Sequence, residues 1–278
     1  MLTYLSFIRV NQWIKNLLIL FPPFFGGTLF SPDVFYNILP AILAFCFASS
    51  SNYIINDLKD IEVDKNHFTK KKRLLASGKI SKNKALLLAI IFLMSSFLFA
   101  YFVSDMFWAY LLSYIIISFL YTFLVKNLVI IDIFFISFGF LVRVLAGGEA
   151  FAIEVSKWLF MTVFMVSLFL ATGKRLGELM LLGQEAEKHR KSLALYSQSF
   201  LEGALWFSAS SALVTYALYT LEQRSGLFYT VPLAAFGLFR YIFISKEGRG
   251  DPTDALLKDK QIMAVGIIWL TAICYSVY

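Results

Sequence analysis

The sequence predicts an all-α polytopic membrane protein of about nine transmembrane helices. Three observations predict it. The composition is 59% hydrophobic and 18% aromatic with only 15% charged residues, at a mean hydropathy of +0.72. A soluble domain is nearer half apolar and a quarter charged. Apolar runs recur along the whole chain, each of the order of 20 residues that a spanning helix needs. The basic residues cluster in the segments between alternate runs, as the positive-inside rule requires.

Taken in order, the candidate spans are 15–30, 34–56, 84–103, 106–124, 128–148, 158–171, 200–221, 229–244 and 262–278. Pro22-Pro23 and Gly26-Gly27 make the first irregular, short and open to kinking. The second runs on into an acidic stretch. The sixth is short in its apolar core, and Lys157 can extend it by snorkelling. The N-terminus carries no small-residue cleavage site after an apolar region, so the first run is expected to be a retained helix and not a signal peptide. Cys46 and Cys274 both lie in apolar runs outside any C-x-x-C pair, so both are expected to be small core residues. No internal repeat or low-complexity linker divides residues 1–278, and one domain is the simplest expectation. With the N-terminus inside, 22 of the 25 Lys and Arg fall on the cytoplasmic side. The net charge of +7 therefore reports topology and gives no reason to expect nucleic acid.

The stretch Asn56-Asp57-Leu58-Lys59-Asp60-Ile61-Glu62-Val63-Asp64 carries the chemistry. On a helix with Asn56 at 0°, Asp60 falls at about 40°, Asp64 at about 80° and Asp57 at about 100°. Like charges packed on one narrow face repel unless a hard divalent cation sits among them. Mg²⁺ takes such oxygen ligands and shares the rest of its shell with phosphates and water. The competing reading is a solvated acidic helix end. The basic cluster Lys70-Lys71-Lys72-Arg73 follows at once, and Lys and Arg beside a metal site suggest a phosphate or diphosphate substrate. Arg73 stands out in the cluster for its spacing from the motif and the small Ala76-Ser77-Gly78 that follows.

Other candidates are scattered. Arg143 lies well inside the fifth run, where an arginine is costly and marks function by default; its plainer reading is an ion pair with Asp132 or Glu149. Lys126 precedes Asp132 at the cytoplasmic end of that run. Lys174 and Arg175 end the sixth. Arg9, Gln12 and Asn16 are three and four apart on one face, with Lys15 beside them. His67 and His189 are the only histidines, so a histidine-rich metal site is excluded; neither stands beside a plausible Ser or Cys partner, and the sequence shows no sign of a nucleophile triad. Neither a Walker loop nor G-x-G-x-x-G occurs.

At Asn56-Asp57-x-x-Asp60-x-x-x-Asp64 the chain resembles the UbiA superfamily of intramembrane prenyltransferases. More closely it resembles their decaprenyl-phosphate phosphoribosyltransferase branch. The matching stretches are Arg9-x-x-Gln12-Trp13-x-Lys15-Asn16, the acidic motif through Thr69-Lys70 and Arg73, and Asp132 with Gly139-Phe140-x-x-Arg143-x-x-Ala146-Gly147-Gly148. Gly173-Lys174-Arg175-x-x-Glu178-Leu179, Arg190-x-Ser192-Leu193-x-x-Tyr196 and Leu238-x-Arg240-Tyr241 continue it. The resemblance covers essentially the whole chain.

It implies nine helices around a lipid-open cavity and a Mg²⁺-bound diphosphate. It implies transfer of 5-phosphoribosyl from phosphoribosyl diphosphate to a polyprenyl phosphate with release of diphosphate; the loop charges lead us to expect this at the cytoplasmic face of the plasma membrane. Asn56, Asp60 and Asp64 would hold the metal, with Asp57 in support. Lys65, Lys70 and Arg73 would bind outer phosphate oxygens. Lys15, Asn16, Lys126, Arg143, Lys174 and Arg175 would divide the lipid phosphate and the sugar 5-phosphate between them. A homo-oligomer is open on the same grounds.

Two departures matter. The second Asp-rich motif common in the superfamily is absent after the sixth span, where Lys174, Arg175 and Glu178 stand instead. Val10 and Leu74 stand where related chains often have proline. The first departure favours one metal-bound diphosphate with a phosphate monoester held by cations. Two alternatives stay open: a prenyltransferase acting on a prenyl diphosphate and an aromatic or lipid acceptor, and a transporter with an acidic gate.

Overall fold

The computed structural model describes residues 6–65, 70–183, 191–223 and 225–278. His67, Thr69, Lys188, His189, Arg190 and Arg224 lie outside them, as do the side chains of Lys70 and Lys191. Regular structure among the described residues is helical throughout. Among the described residues eight helical spans are long and apolar enough to cross a membrane. Their α-helices are α1 (Pro32–Lys59), α2 (Lys82–Tyr101), α3 (Asp105–Leu120), α4 (Ile131–Ala150), α5 (Lys157–Leu182), α6 (Gln198–Gln223), α7 (Val231–Lys246) and α8 (Lys260–Val277). The third and seventh spans, Asp105–Val125 and Gly226–Lys246, also take in a π-helical turn after α3 and 3-10 turns before α7.

Helix starts follow from side chains that accept orphan N–H groups. Ser81 accepts from Lys84 N, Ser104 from Phe107 N, Ser156 from Leu159 N, and Asp259 from Gln261 N and Ile262 N. Pro32 opens α1, where the missing N–H needs no partner. Along α2 the large side chains Leu86, Leu87, Ile90, Ile91, Met94 and Leu98 are exposed. In water such a stripe would aggregate, and in a bilayer it is the lipid-facing surface.

Two expected spans differ from what forms. The first run is a 3-10 helix, Val10–Leu20, followed by a short α-helix, Phe21–Phe25, and is not one of the eight long helices. Pro22 and Pro23 are tolerated there because they sit in the first turn of that short helix. The sixth run, read as 158–171, is the 26-residue α5. Its polar continuation stays helical because the fold supplies partners for Lys174 and Arg175. Cys46 is buried as expected, whereas Cys274 is exposed on α8: its neighbours are apolar, but it points outward.

The described chain divides into two compact units. The first comprises residues 1–24, 28–123 and 142–154; the second comprises 25–27, 124–141 and 155–278. Helix α4 thus gives its C-terminal half to the first and its N-terminal half to the second.

In the first unit the 3-10 segment packs on α1, and α1 on α2. Three consecutive buried serines of α1 link these elements. Ser49 accepts from Asn16 at 3.3 Å, Ser50 accepts from Trp13 Nε1 at 3.0 Å, and Ser51 donates to the Ala89 carbonyl of α2 at 2.8 Å. Small hydroxyl residues let helices approach and bond in an apolar medium. The approach is closest at Gly147, where a Cβ would lie 2.0 Å from the carbonyl oxygen of Ile19. Phe45, Phe107, Leu111 and Tyr114 fill the adjoining core.

In the second unit α5 packs along α6, with Phe169, Leu176, Leu201, Leu205 and Ile244 in the core. Gly173 and Gly177, one turn apart on α5, make room for the chain at Gly250. A Cβ on Gly177 would meet Gly250 N at 2.4 Å, and one on Gly250 would meet the Gly173 carbonyl at 2.2 Å. Tyr241 donates its hydroxyl to the Gly250 carbonyl at 2.7 Å and locks this contact.

Candidate active site

The acidic stretch is where α1 ends. Asp60 departs from ideal helix geometry (φ −93°, ψ 8°), and a short helix, Ile61–Lys65, follows. The i to i−4 bonds nevertheless run through the junction: Asp60 N donates to Asn56 O at 3.0 Å and Asp64 N to Asp60 O at 2.8 Å. Helical phase is therefore kept, and Asp57 and Asp64 face inward, 5% and 3% exposed. Asn56 and Asp60 are half-buried.

Both buried carboxylates meet one guanidinium. Arg73 Nη1 donates to Asp57 Oδ1 at 3.0 Å and to Asp64 Oδ2 at 2.7 Å. Arg73 is fixed by a turn in which Ser77 N bonds Arg73 O, Gly78 N bonds Leu75 O and Ile80 N bonds Leu74 O. Gly78 takes φ 74°, which glycine adopts without strain. Leu75 and Ile80 anchor the turn in a core with Ile54, Ile61, Ala85 and Ala89. A second cation reaches the same acid: Arg9 donates to Asp57 Oδ1 and stacks over Tyr53 at 4.7 Å. Ser6, Arg9, Gln12, Asp57, Lys72 and Arg73 contribute to the lining of a cavity of about 320 Å³. Three cations and one carboxylate in that lining suit an anion.

Arg143 and Asn16, far apart in sequence, are bonded: Arg143 Nε donates to Asn16 Oδ1 at 2.8 Å, and the guanidinium lies over the Tyr114 ring at 4.3 Å. Asn16 also donates to Cys46 Sγ at 3.3 Å. The Asn16 amide and the Tyr114 ring are thus among the partners of this buried arginine within the protein. Glu149 accepts from Ser104 at 3.0 Å. Lys15 is half-buried on the same 3-10 segment. Lys65 is exposed and pairs with Glu62 at 2.9 Å, an interaction that holds the Glu62 carboxyl below its ordinary range. Lys59, inside the acidic stretch, turns away and donates to the Thr122 carbonyl at 2.6 Å.

The second unit gathers the other cations. Arg175 Nε donates to Asp132 Oδ2 at 2.9 Å and its Nη1 to Glu178 at 2.5 Å; the Arg175 and Asp132 side chains are 3% and 0% exposed. Lys174 pairs with Asp251 at 2.8 Å. Lys126 is half-buried in the turn before α4, and its carbonyl accepts from Ser192. Ile130 in the same turn has φ 69°, a left-handed conformation that costs a β-branched residue about 1–3 kcal/mol.

The donor set fits Mg²⁺. One nitrogen reaches both Asp57 and Asp64, so the two carboxylates stand close enough to share a cation. All the candidate donors are hard oxygens. Among the described residues no group of three or more His, Cys, Asp and Glu is placed to hold a metal ion by itself. Two carboxylates with the rest of the shell left to phosphate and water is the usual arrangement for Mg²⁺. Asp57 and Asp64 converge on Arg73, two of the four oxygen-bearing side chains that helical spacing sets on one face; the resemblance implies Asn56, Asp60 and Asp64 as metal ligands with Asp57 in support. Arg9 was the residue that spacing underrated. Its signal was the shared face with Gln12 and Asn16, but nothing local ties that face to Asp57.

These features are those of a multi-pass membrane protein with a buried acidic and basic cluster. Residues 19–268 match the UbiA prenyltransferase family, and the chain belongs to that family. Decaprenyl-phosphate phosphoribosyltransferase of Mycolicibacterium smegmatis is 32% identical to it, over 98% of this chain and 91% of that protein. The protein of the same name in Corynebacterium glutamicum is also 32% identical, over 98% and 85%. A UbiA homolog from Archaeoglobus fulgidus, solved with GPP and Mg²⁺, superposes with a TM-score of 0.76 over 99% of this chain and 98% of that one. At 20% identity that likeness is one of fold.

Proposed function

We propose that the chain transfers the 5-phosphoribosyl group of phosphoribosyl diphosphate to a polyprenyl phosphate and releases diphosphate. The observation that carries the reading is the pairing of buried Asp57 and Asp64 with Arg73 beside a cavity that Arg9 and Lys72 also line. It is supported by the similarity, along almost the whole chain, to proteins named for that transfer. In the reaction the bond between the anomeric carbon and the diphosphate oxygen breaks, and its electron pair leaves with diphosphate. An oxygen of the lipid phosphate forms the new bond to that carbon. The lipid phosphate is anionic at neutral pH, so no general base is required.

The barrier lies in an oxocarbenium-like state, as in glycosyl transfer generally. Mg²⁺, when bound, would neutralise charge on the leaving diphosphate. Asp57 and Asp64, with Asn56 and Asp60, are the residues to hold it. Arg73 and Arg9 would take outer diphosphate oxygens, with Lys65 and Lys70 nearby in sequence. Lys15, Lys126 and Lys174 are the proposed ligands of the lipid phosphate and the sugar 5-phosphate. Asn16, Arg143 and Arg175, buried among their own partners, would act by holding the backbone that carries those ligands. The charge bias of the loops supports a cytoplasmic N-terminus and acidic stretch in the plasma membrane.

The test uses purified full-length protein in lipid with Mg²⁺. One arm supplies labelled phosphoribosyl diphosphate and polyprenyl phosphate; the other supplies a prenyl diphosphate with an aromatic acceptor. Labelled phosphoribosyl lipid, lost on chelation and restored by Mg²⁺, is the expected result. Prenyl transfer with no phosphoribosyl lipid would overturn the reading.

A further inference from the structure

The segment that resumes at Lys191–Ala194 is bonded to a part of the second unit far from it in sequence. Ser192 Oγ donates to the Lys126 carbonyl at 3.1 Å. The Ile130 N–H donates to the Tyr196 hydroxyl at 2.6 Å, and that hydroxyl donates to Asp132 Oδ1 at 2.7 Å. Leu193 and Tyr196 are 1% and 5% exposed, so the segment is anchored. The other oxygen of Asp132 accepts from Arg175. One tyrosine hydroxyl thus joins the turn at 126–131 to the buried ion pair of Asp132 on α4 with Arg175 on α5.

The geometry needs a reason, because it holds Ile130 where a β-branched residue rarely goes. Burial, and then the bond to Asp132, push the Tyr196 phenol above its ordinary range, so it stays a proton donor at neutral pH. The carboxylate orients the hydroxyl, the hydroxyl's lone pair takes the Ile130 N–H, and the turn is kept in its strained form. Ser192 clips the turn at its other end, at Lys126. A lysine on an ordered backbone binds an anion with less loss of freedom than one on a loose turn.

We infer that Tyr196 and Asp132 are positioning residues for phosphate binding by Lys126, acting through the strained turn at Ile130. The inference rests on the reading of Lys126 as a phosphate ligand in phosphoribosyl transfer. Ser192 serves the same end, and the stretch from Lys191 to Tyr196 is a strap over the turn.

The experiment has two arms on the full-length protein in lipid. The first needs no turnover: hydrogen exchange of amides 126–131 in Tyr196→Phe against wild type. Faster exchange there, with α6 unchanged, is expected; unchanged exchange at 126–131 overturns the strap. The second arm is a double-mutant cycle on KM for each phosphate substrate. Tyr196→Phe and Lys126→Ala should each raise KM for the same substrate by about tenfold, with kcat little changed. The double variant should be no worse than Lys126→Ala, because a residue that acts only through another adds nothing once that other is gone. Additive losses overturn the positioning role. Ser192→Ala, a smaller change, should move KM in the same direction. If wild-type protein makes no phosphoribosyl lipid, the reaction reading has failed, and the exchange arm still decides the strap.

Discussion

Asp57 and Asp64 stand two helical turns apart and meet the same nitrogen of Arg73, at 3.0 and 2.7 Å. Two carboxylates so close and so buried need positive charge between them. The same property suits them to a divalent cation.

Asp57→Asn, Asp60→Asn and Asp64→Asn should each lower kcat/KM for phosphoribosyl transfer by about 10²–10³ without loss of folded protein. The measurement is product formation at saturating Mg²⁺, with elution in size exclusion as the check on folding. Near-normal turnover by Asp60→Asn would remove that residue from the metal's ligands.

Arg73→Ala leaves two buried carboxylates short of a counter-charge. Stability should fall by about 1–3 kcal/mol, at the low end because Arg73 is 31% exposed. Added Mg²⁺ should then raise the melting temperature more in the variant than in wild type, because the ion replaces the missing charge on the native state alone. An equal rise in both proteins would count against a shared cation position.

Gly147→Ala would place a Cβ 2.0 Å from the Ile19 carbonyl. Backbone cannot give way as a side chain can, so destabilisation of about 1–3 kcal/mol is expected. Gly203→Ala is the control: nothing lies within 4 Å of its Cβ position inside α6. There the helix should gain about 0.5–1 kcal/mol. Thermal melting in one detergent compares the two, and equal effects would show that the approach of Ile19 does not matter.

Asp259 caps α8 and accepts two bonds from Arg240, at 3.2 and 2.8 Å. The Arg240 bonds, with those from the helix N–H groups, hold its carboxyl down at about 2, against 3.8 ordinarily. A depressed folded pKa means that the unfolded chain takes up the proton first as pH falls. The stabilisation is thus complete above about pH 4 and is lost between about pH 4 and 2. Melting temperatures of wild type and Asp259→Asn should differ at pH 7 and converge toward pH 2. A gap that is constant with pH would mean that the aspartate acts by shape alone.

The phase of Asp57 against Asp64 was legible, because a helix sets it within two turns and the i to i−4 bonds survive the break at Asp60. The spans from α1 to α8 were legible, because the bilayer imposes length and apolarity locally. The end of α5 was not. Its polar turns stay helical through Asp132 and the Gly250 contact, both contributed from elsewhere in the chain. The exposure of Cys274 was equally hidden, since hydropathy does not tell a lipid-facing side chain from a packed one.

By itself, then, the sequence determined a polytopic all-α membrane protein with an acidic face at the end of a helix and cations in its loops. Each of these follows from interactions within a few residues or with the solvent. Only the tertiary structure decided the partners: Arg9 and Arg73 for Asp57, Asn16 for Arg143, Asp132 for Arg175, and Tyr196 for the turn at Ile130. In an apolar medium a buried charge must find a partner. Which one it finds depends on how close the small residues, the serines of α1 and the glycines at 147, 173 and 177, let the helices come.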